Sequence, residues 1–209
     1  MEFIIKTMNC RQEDHDLHIE VPFANFIVGI NEFTGSILLM DDNGKNIAFM
    51  QGLFFNENKL CYVTDGIVEA ADCYSLDAFK AIDKLVKSKP YKQRQVKPAE
   101  YGQHTLYIER FYVYPEFRNQ GYGNWLLQNL DDLVEYYFNV SLYFAVTMLV
   151  PQEPIGSDDT HKDIDYFDWK DNDAPEMNEL LKKTFVDAGF KRLGRSDIYA
   201  LEFSKEQKN

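Results

Sequence analysis

Ile108-Glu109-Arg110-Phe111-Tyr112-Val113-Tyr114-Pro115-Glu116-Phe117-Arg118-Asn119-Gln120-Gly121-Tyr122-Gly123-Asn124-Trp125-Leu126-Leu127 is the stretch that decides the fold. It reads as a strand, a proline turn, a short glycine loop and the start of an amphipathic helix. Successive backbone N–H groups at the start of a helix have no intrahelical partner and carry the positive end of its dipole, so this order suits an anion such as a diphosphate. Glycine at 121 and 123 lets the main chain approach a ligand closely and adopt conformations that a Cβ forbids.

Two familiar glycine loops fail on residues. A dinucleotide fingerprint needs a third small residue where Leu126 stands, and a Walker loop needs Lys-Ser/Thr where Asn124 and Trp125 follow Gly123. Arg118-Asn119-Gln120-Gly121-Tyr122-Gly123 instead resembles the Q/R-x-x-G-x-G/A motif of the GNAT acetyltransferase superfamily. The context matches as well, with Val113-Tyr114-Pro115 before the loop and Leu126-Leu127 opening the helix. Near the C-terminus, Asn178 precedes Gly189-Phe190 at the interval of a second, weaker family pattern.

The resemblance implies a GNAT-like α/β fold: a mostly antiparallel mixed sheet with two parallel strands, 105–113 and 140–150, that splay apart to admit a thioester. It implies acetyl-CoA as cosubstrate and no metal. Phe111 and Val113 would serve the cofactor from the strand, Val113 by backbone hydrogen bonds to the pantetheine arm. Arg118, Asn119, Gln120, Gly121, Tyr122, Gly123 and Asn124 would hold the diphosphate, and Asn178 would reach it from the last helix. The family's usual tyrosine, which protonates the leaving thiolate, falls on Phe185, leaving Tyr112, Tyr143 and Tyr166 as open substitutes.

An ammonium must lose a proton before its nitrogen attacks a thioester, so a base is expected on the strand before the loop. Glu109 is the candidate. Period-two alternation puts it on the face of Tyr107, Phe111 and Val113, where burial among aromatics would raise its pKa.

Outward from this core, Phe3–Met8, Phe23–Ile30, Ser36–Met40 and Ile47–Phe55 read as strands of an antiparallel meander, with Asn43-Gly44 as a hairpin turn. Ser75 caps a helix to Val86 whose stripe is Leu76, Phe79, Ile82 and Val86. Residues 87–103, with Pro90 and Pro98, read as a long loop. One helix is expected over Asn124–Phe138, a buried strand over Val140–Val150, and a helix over Pro175–Ala188 with Asp173 as its cap and Gly189 as its stop. Phe190–Leu193 and Ile198–Phe203 close the chain as two strands. The first half departs from the family, which usually places two helices between its first two strands.

The 209 residues read as a single domain. Its 34 acidic and 22 basic residues give a formal charge of -12, which repels phosphate backbones and anionic lipid, so nucleic acid and membrane are not expected as partners. The acceptor expected is a cation: a small-molecule amine, or a protein lysine or N-terminus. An insert over 151–173 holds eight acidic and two basic residues and reads as a solvated loop or an acidic lip. No register in it supplies the glycine and glutamate of a calcium loop. Cys10, Cys61 and Cys73 show no C-x-x-C spacing, and Met1–Lys6 lacks a signal-peptide pattern, which points to the cytoplasm. His15, His18, His104 and His161 have no metal-binding spacing.

The sequence thus supports an N-acetyltransferase working by direct attack in a ternary complex. The alternative is a non-catalytic acyl-CoA-binding regulatory module, and a third reading is an acidic interaction protein without cofactor. A homodimer stays open beside a monomer.

Overall fold

The computed structural model describes residues 6–8, 17–20, 24–26, 32–40, 46–56, 66–95, 103–138, 141–149 and 174–203. Nine strands are described: β1 (Lys6–Met8), β2 (Leu17–Glu20), β3 (Ala24–Phe26), β4 (Glu32–Met40), β5 (Asn46–Asn56), β6 (Gln103–Val113), β7 (Ser141–Met148), β8 (Lys191–Arg192) and β9 (Ile198–Glu202). The helices are α1 (Ile67–Tyr74), α2 (Leu76–Val86), α3 (Lys89–Gln95), α4 (Tyr122–Gln128), α5 (Leu130–Phe138) and α6 (Ala174–Asp187).

One mixed sheet runs in the order β1-β2-β4-β5-β6-β7-β9-β8, with β3 also pairing β4. Among the described strands β6 and β7 are the parallel pair, and the others pair antiparallel. This is the mixed α/β architecture expected from the sequence. The β6–β7 ladder ends at Ile108↔Thr147, whereas β6 itself continues to Val113. The end of β6 therefore runs on past its parallel neighbour.

Helices cover both faces. On one, Leu126, Leu127, Leu130, Leu133, Val134 and Phe185 of α4–α6 pack with Ile108, Leu142 and Ala145. On the other, Ile67, Ala70, Ala71, Ala78, Ala81, Ile82 and Leu85 of α1 and α2 pack with Leu53, Phe55, Tyr107 and Val146. Being covered twice, β7 is buried along most of its length, which explains its near-continuous apolar run.

Several expectations need correction. Residues 87–103 are not all loop, because Lys89–Gln95 is helical. Pro90 lies in that helix's first turn, where its missing N–H costs nothing, and Ser88 Oγ accepts a hydrogen bond from Tyr91 N–H at 3.4 Å. Tyr91 is buried with its ring 5.5 Å from that of Phe144. Arg94 stacks 4.2 Å over the Tyr143 ring and pairs with Glu202 at 3.1 Å, tying α3 to β9.

The single helix over Asn124–Phe138 is two. Its chain turns at Asn129, whose side-chain Nδ2 donates to the Trp125 carbonyl at 2.8 Å and so competes with the helical ladder. The Ser75 cap on α2 is present, with Oγ accepting from Ala78 N–H at 3.1 Å. Its buried face, however, is Ala78, Ala81, Ile82 and Leu85, and Leu76 is 62% exposed. Small alanines let α1 and α2 approach each other, and they outweigh the larger Leu76 and Phe79 in setting the face. The sequence reading missed α1, an eight-residue helix with Ile67, Ala70 and Ala71 buried.

The hairpin β8–β9 and the Gly189 stop are as expected, with Gly189 at φ 98°. The Asn43-Gly44 turn, Asp173, the 151–173 insert, Tyr166, Cys10, Cys61, His15 and His161 lie outside the described residues.

The β5–β6 register shifts between Gln51 and Gly52, so that Gln51 opposes Arg110 and Gly52 opposes Ile108, with Glu109 as the extra residue of a β-bulge. Gly52 sits where a Cβ would come 2.5 Å from the Tyr107 carbonyl oxygen and 2.8 Å from Leu106 Cδ1. Gly52→Ala is accordingly expected to destabilise the protein by about 1–3 kcal/mol in a urea titration, since the obstacle is backbone.

Candidate active site

The bulge separates two sets of side chains. Ile108, Phe111 and Val113 belong to the face covered by α4–α6, while Tyr107 belongs to the face covered by α1 and α2. Glu109 is half-exposed and accepts a hydrogen bond from the Tyr74 hydroxyl, on α1, at 3.1 Å. The expectation that Glu109 shares one face with Tyr107, Phe111 and Val113 therefore holds for Tyr107 and fails for Phe111 and Val113, and Glu109 is partly exposed, not buried. The extra residue resets the alternation, leaving Glu109 beside α1 and Phe111 and Val113 on the other side. Burial pushes the Tyr107 phenol well above its ordinary pKa, and the charges of Glu109 and Asp77, then Tyr74, add to the rise. Tyr74, Asp77, Tyr107 and Glu109 thus meet electrostatically on one side of β6.

On the other side, the chain leaves β6 through Tyr114 and a 3-10 turn, Pro115–Phe117, with Pro115 at its start. Two residues of the following loop take left-handed conformations, Asn119 at φ 60° and Gly121 at φ 86°. Gln120 Nε2 donates to the Glu116 carbonyl at 2.7 Å, and Trp125 N–H donates to the Gly121 carbonyl at 2.9 Å. Arg118 Nε donates to the Val113 carbonyl at 2.9 Å, and its guanidinium lies 5.3 Å over the Tyr112 ring. The Phe117 and Tyr122 rings meet edge-on at 6.0 Å. The loop is thus pinned at both ends, and it delivers the N–H groups of Tyr122, Gly123 and Asn124 as the first turn of α4.

Gly123 is needed for packing as well as for access. A Cβ there would meet Val113 Cγ2 at 3.1 Å, Thr184 Cγ2 at 3.3 Å and Phe111 Cζ at 3.4 Å. Its missing side chain lets β6, α4 and α6 converge. Where they converge is a cleft of about 60 Å³, lined by Phe111, Tyr112 and Val113 of β6, Arg118 of the loop, and Leu180, Leu181 and Thr184 of α6. Asn124 Oδ1 and Asn178 Oδ1 are buried acceptors with no hydrogen-bond partner among the described residues. Such atoms are costly unless a ligand or water satisfies them.

The structure brings Phe111, Val113 and Arg118 together at the cleft and stacks Gly123 behind it. Sequence reasoning missed Leu180, Leu181 and Thr184, because two of them read as part of the core stripe of α6. It also missed Tyr74 and Asp77, which no motif marks. Phe185 is fully buried, edge-on to Phe111 at 5.2 Å and to Phe190 at 4.9 Å. Of the substitute tyrosines, Tyr112 lines the cleft, whereas Tyr143 packs in the core on the opposite face. The nearest approach to a metal-ligand set among the described residues is Asp131, Asp132 and Glu135 on α5, where Asp131 already accepts from Leu142 N–H at 3.3 Å.

The family model described as Acetyltransferase (GNAT) family matches residues 6–148. The match includes the glycine loop and extends into the strand-rich first half, and it stops short of α6. No curated protein sequence matches the chain. Similar solved structures include an acetyltransferase of the GNAT family from Listeria monocytogenes, at 12% identity and TM-score 0.34, covering 80% of this chain and 64% of that one. This chain therefore corresponds to a little under two thirds of the Listeria protein's length. Others are the polyamine N-acetyltransferase of Drosophila melanogaster, described as forming N-acetylagmatine, at 10% identity, TM-score 0.35 and 80% and 74% coverage, and an agmatine N-acetyltransferase in its apo form at 10%, 0.36, 80% and 74%. Likeness at this level carries no information about the acceptor. No helix among the described residues is long and apolar enough to cross a membrane.

Gly121 is exposed, so its conformation and not its packing requires glycine. Gly121→Ala is expected to cost about 1–2 kcal/mol of unfolding free energy in chemical denaturation, the penalty of a Cβ in the left-handed region.

Proposed function

The chain belongs to the acetyltransferase (GNAT) family, and from that premise we propose that it transfers an acetyl or similar short acyl group from acetyl-CoA to a primary amine. The single observation that carries the reading is the cleft between β6, the glycine loop and α6, with buried, partnerless amide oxygens, Asn124 Oδ1 and Asn178 Oδ1, on the two helices α4 and α6. Acetyl-CoA suits this set of groups, because its pantetheine arm brings two amide N–H groups and its diphosphate suits the first-turn amides and Arg118.

In the proposed reaction the amine nitrogen bonds to the thioester carbonyl carbon, the C–S bond breaks, and coenzyme A leaves as the thiol. The glycine loop anchors and orients, which lowers the entropic part of the barrier. Val113 presents its carbonyl to the pantetheine once Arg118 turns toward phosphate. Glu109, on the opposite side of β6, takes the ammonium proton directly or through water. Tyr112, at the cleft, is the candidate to return a proton to the leaving sulfur. The formal charge of -12 supports the approach of a cationic acceptor, either a small amine or a protein lysine or N-terminus, and the cysteine spacing supports a cytoplasmic setting.

Phe185, buried and without a hydroxyl where the resemblance implies a tyrosine, favours a second reading, an acyl-CoA-binding module without turnover. Both readings require acetyl-CoA to bind, and at a hundredfold excess over its Kd it should stabilise the fold by about 2.7 kcal/mol. Release of coenzyme A thiol across a panel of amines is expected for the enzyme alone. Glu109→Gln should lower kcat by about 10²–10⁴-fold while the Kd for acetyl-CoA holds. Unchanged turnover and pH profile would remove Glu109 as the base, and absence of any acetyl-CoA affinity would remove the whole reading. Asn178→Leu is expected to leave the free protein as stable as before, since it deletes an unsatisfied acceptor, yet to weaken acetyl-CoA about three- to tenfold by calorimetry.

A further inference from the structure

We propose that Tyr74 is a positioning residue for this chemistry, holding the Glu109 carboxylate in place at the β6 bulge. The inference rests on Glu109 being the base. It starts from how Tyr74 is mounted.

Tyr74 closes α1, and Ser75 turns the chain into α2 with an extended backbone at φ -160° and ψ 154°. Ser75 N–H donates to the Ala71 carbonyl at 3.1 Å, and Ser75 Oγ accepts from Ala78 N–H at 3.1 Å. One residue thus caps both helix ends. The flanking Ala70, Ala71 and Ala78 are buried against the sheet. The corner is rigid, yet the phenol it carries is 37% exposed and contributes little to the core. Its hydroxyl reaches across 35 positions of sequence to donate to Glu109 Oε2 at 3.1 Å.

As the extra residue of the bulge, Glu109 has no residue directly opposite on β5. A donor on a capped helix corner supplies a constraint on its carboxylate.

The groups around Glu109 pull in different directions. Asp77, on α2, adds negative charge to the same neighbourhood, and Tyr107, on β6 itself, is a neutral phenol. Arg110 follows Glu109 on β6, and α1 also exposes Glu69 and Asp72. Opposite, β5 presents Gln51 and Gly52, and β7 carries no titratable residue from Ala145 to Met148. Tyr74 is a neutral donor among these groups.

The test reads kcat, KM and acetyl-CoA affinity in Tyr74→Phe, which keeps the ring and removes the hydroxyl, alone and combined with Glu109→Gln. Tyr74→Phe is expected to lower kcat about three- to tenfold with the Kd for acetyl-CoA and the melting temperature unchanged, and to add nothing in the Glu109→Gln background. A kcat that does not fall, or a loss that adds in full to that of Glu109→Gln, overturns the role of Tyr74 and leaves the base assignment standing. Unchanged turnover in Glu109→Gln overturns the base assignment, and the role of Tyr74 with it.

Discussion

One inserted residue in β6 organises the functional half of this molecule. The ladder with β5 gains a residue at Glu109, opposite the Gln51–Gly52 step, and the ladder with β7 ends one position earlier, at Ile108. An ordinary strand would send Glu109, Phe111 and Val113 to a single face. The bulge sends the carboxylate toward α1 and the other two toward α4 and α6. Beyond it β6 runs on past the end of β7, and there Phe111, Tyr112 and Val113 line the cleft. Gly52 makes this possible, because the Tyr107 carbonyl occupies the space that a β-carbon would need.

A second constraint acts at Gly123, where strand, loop helix and C-terminal helix are drawn together to within contact of one missing side chain. The cleft is the space left beside that convergence. Its walls therefore come from segments far apart in sequence, Phe111 to Val113 and Leu180 to Thr184, and its shape depends on their packing together.

The difference between what was legible and what was not follows from these facts. Arg118 to Gly123 could be read because a glycine loop before a helix is dictated locally by backbone chemistry, and β7 and the helix face of Leu130, Leu133 and Val134 because burial leaves a periodic apolar trace. The bulge could not be read, since it has no side-chain signature, and missing it misplaced Glu109. Helix α1 and the true face of α2 escaped because alanines bury well while looking unremarkable beside Leu76. Helix α3 escaped because Pro90 reads as a breaker until its first-turn position is known. The residues of α6 at the cleft look like core in sequence, and only the approach of β6 turns Leu180 and Thr184 into a wall.

The sheet itself separates two kinds of chain. Residues 115–138 and 174–190 pack against one face, and residues 66–95, an excursion between the antiparallel neighbours β5 and β6, pack against the other. Strand order is indifferent to the length or content of that excursion. Substitutions there can reshape the surface around Glu109 without touching a single wall of the glycine-loop cleft. The architecture works like a chuck with interchangeable jaws, so that the chain clamped on one side of the sheet can be exchanged while the packing on the other stays as it is.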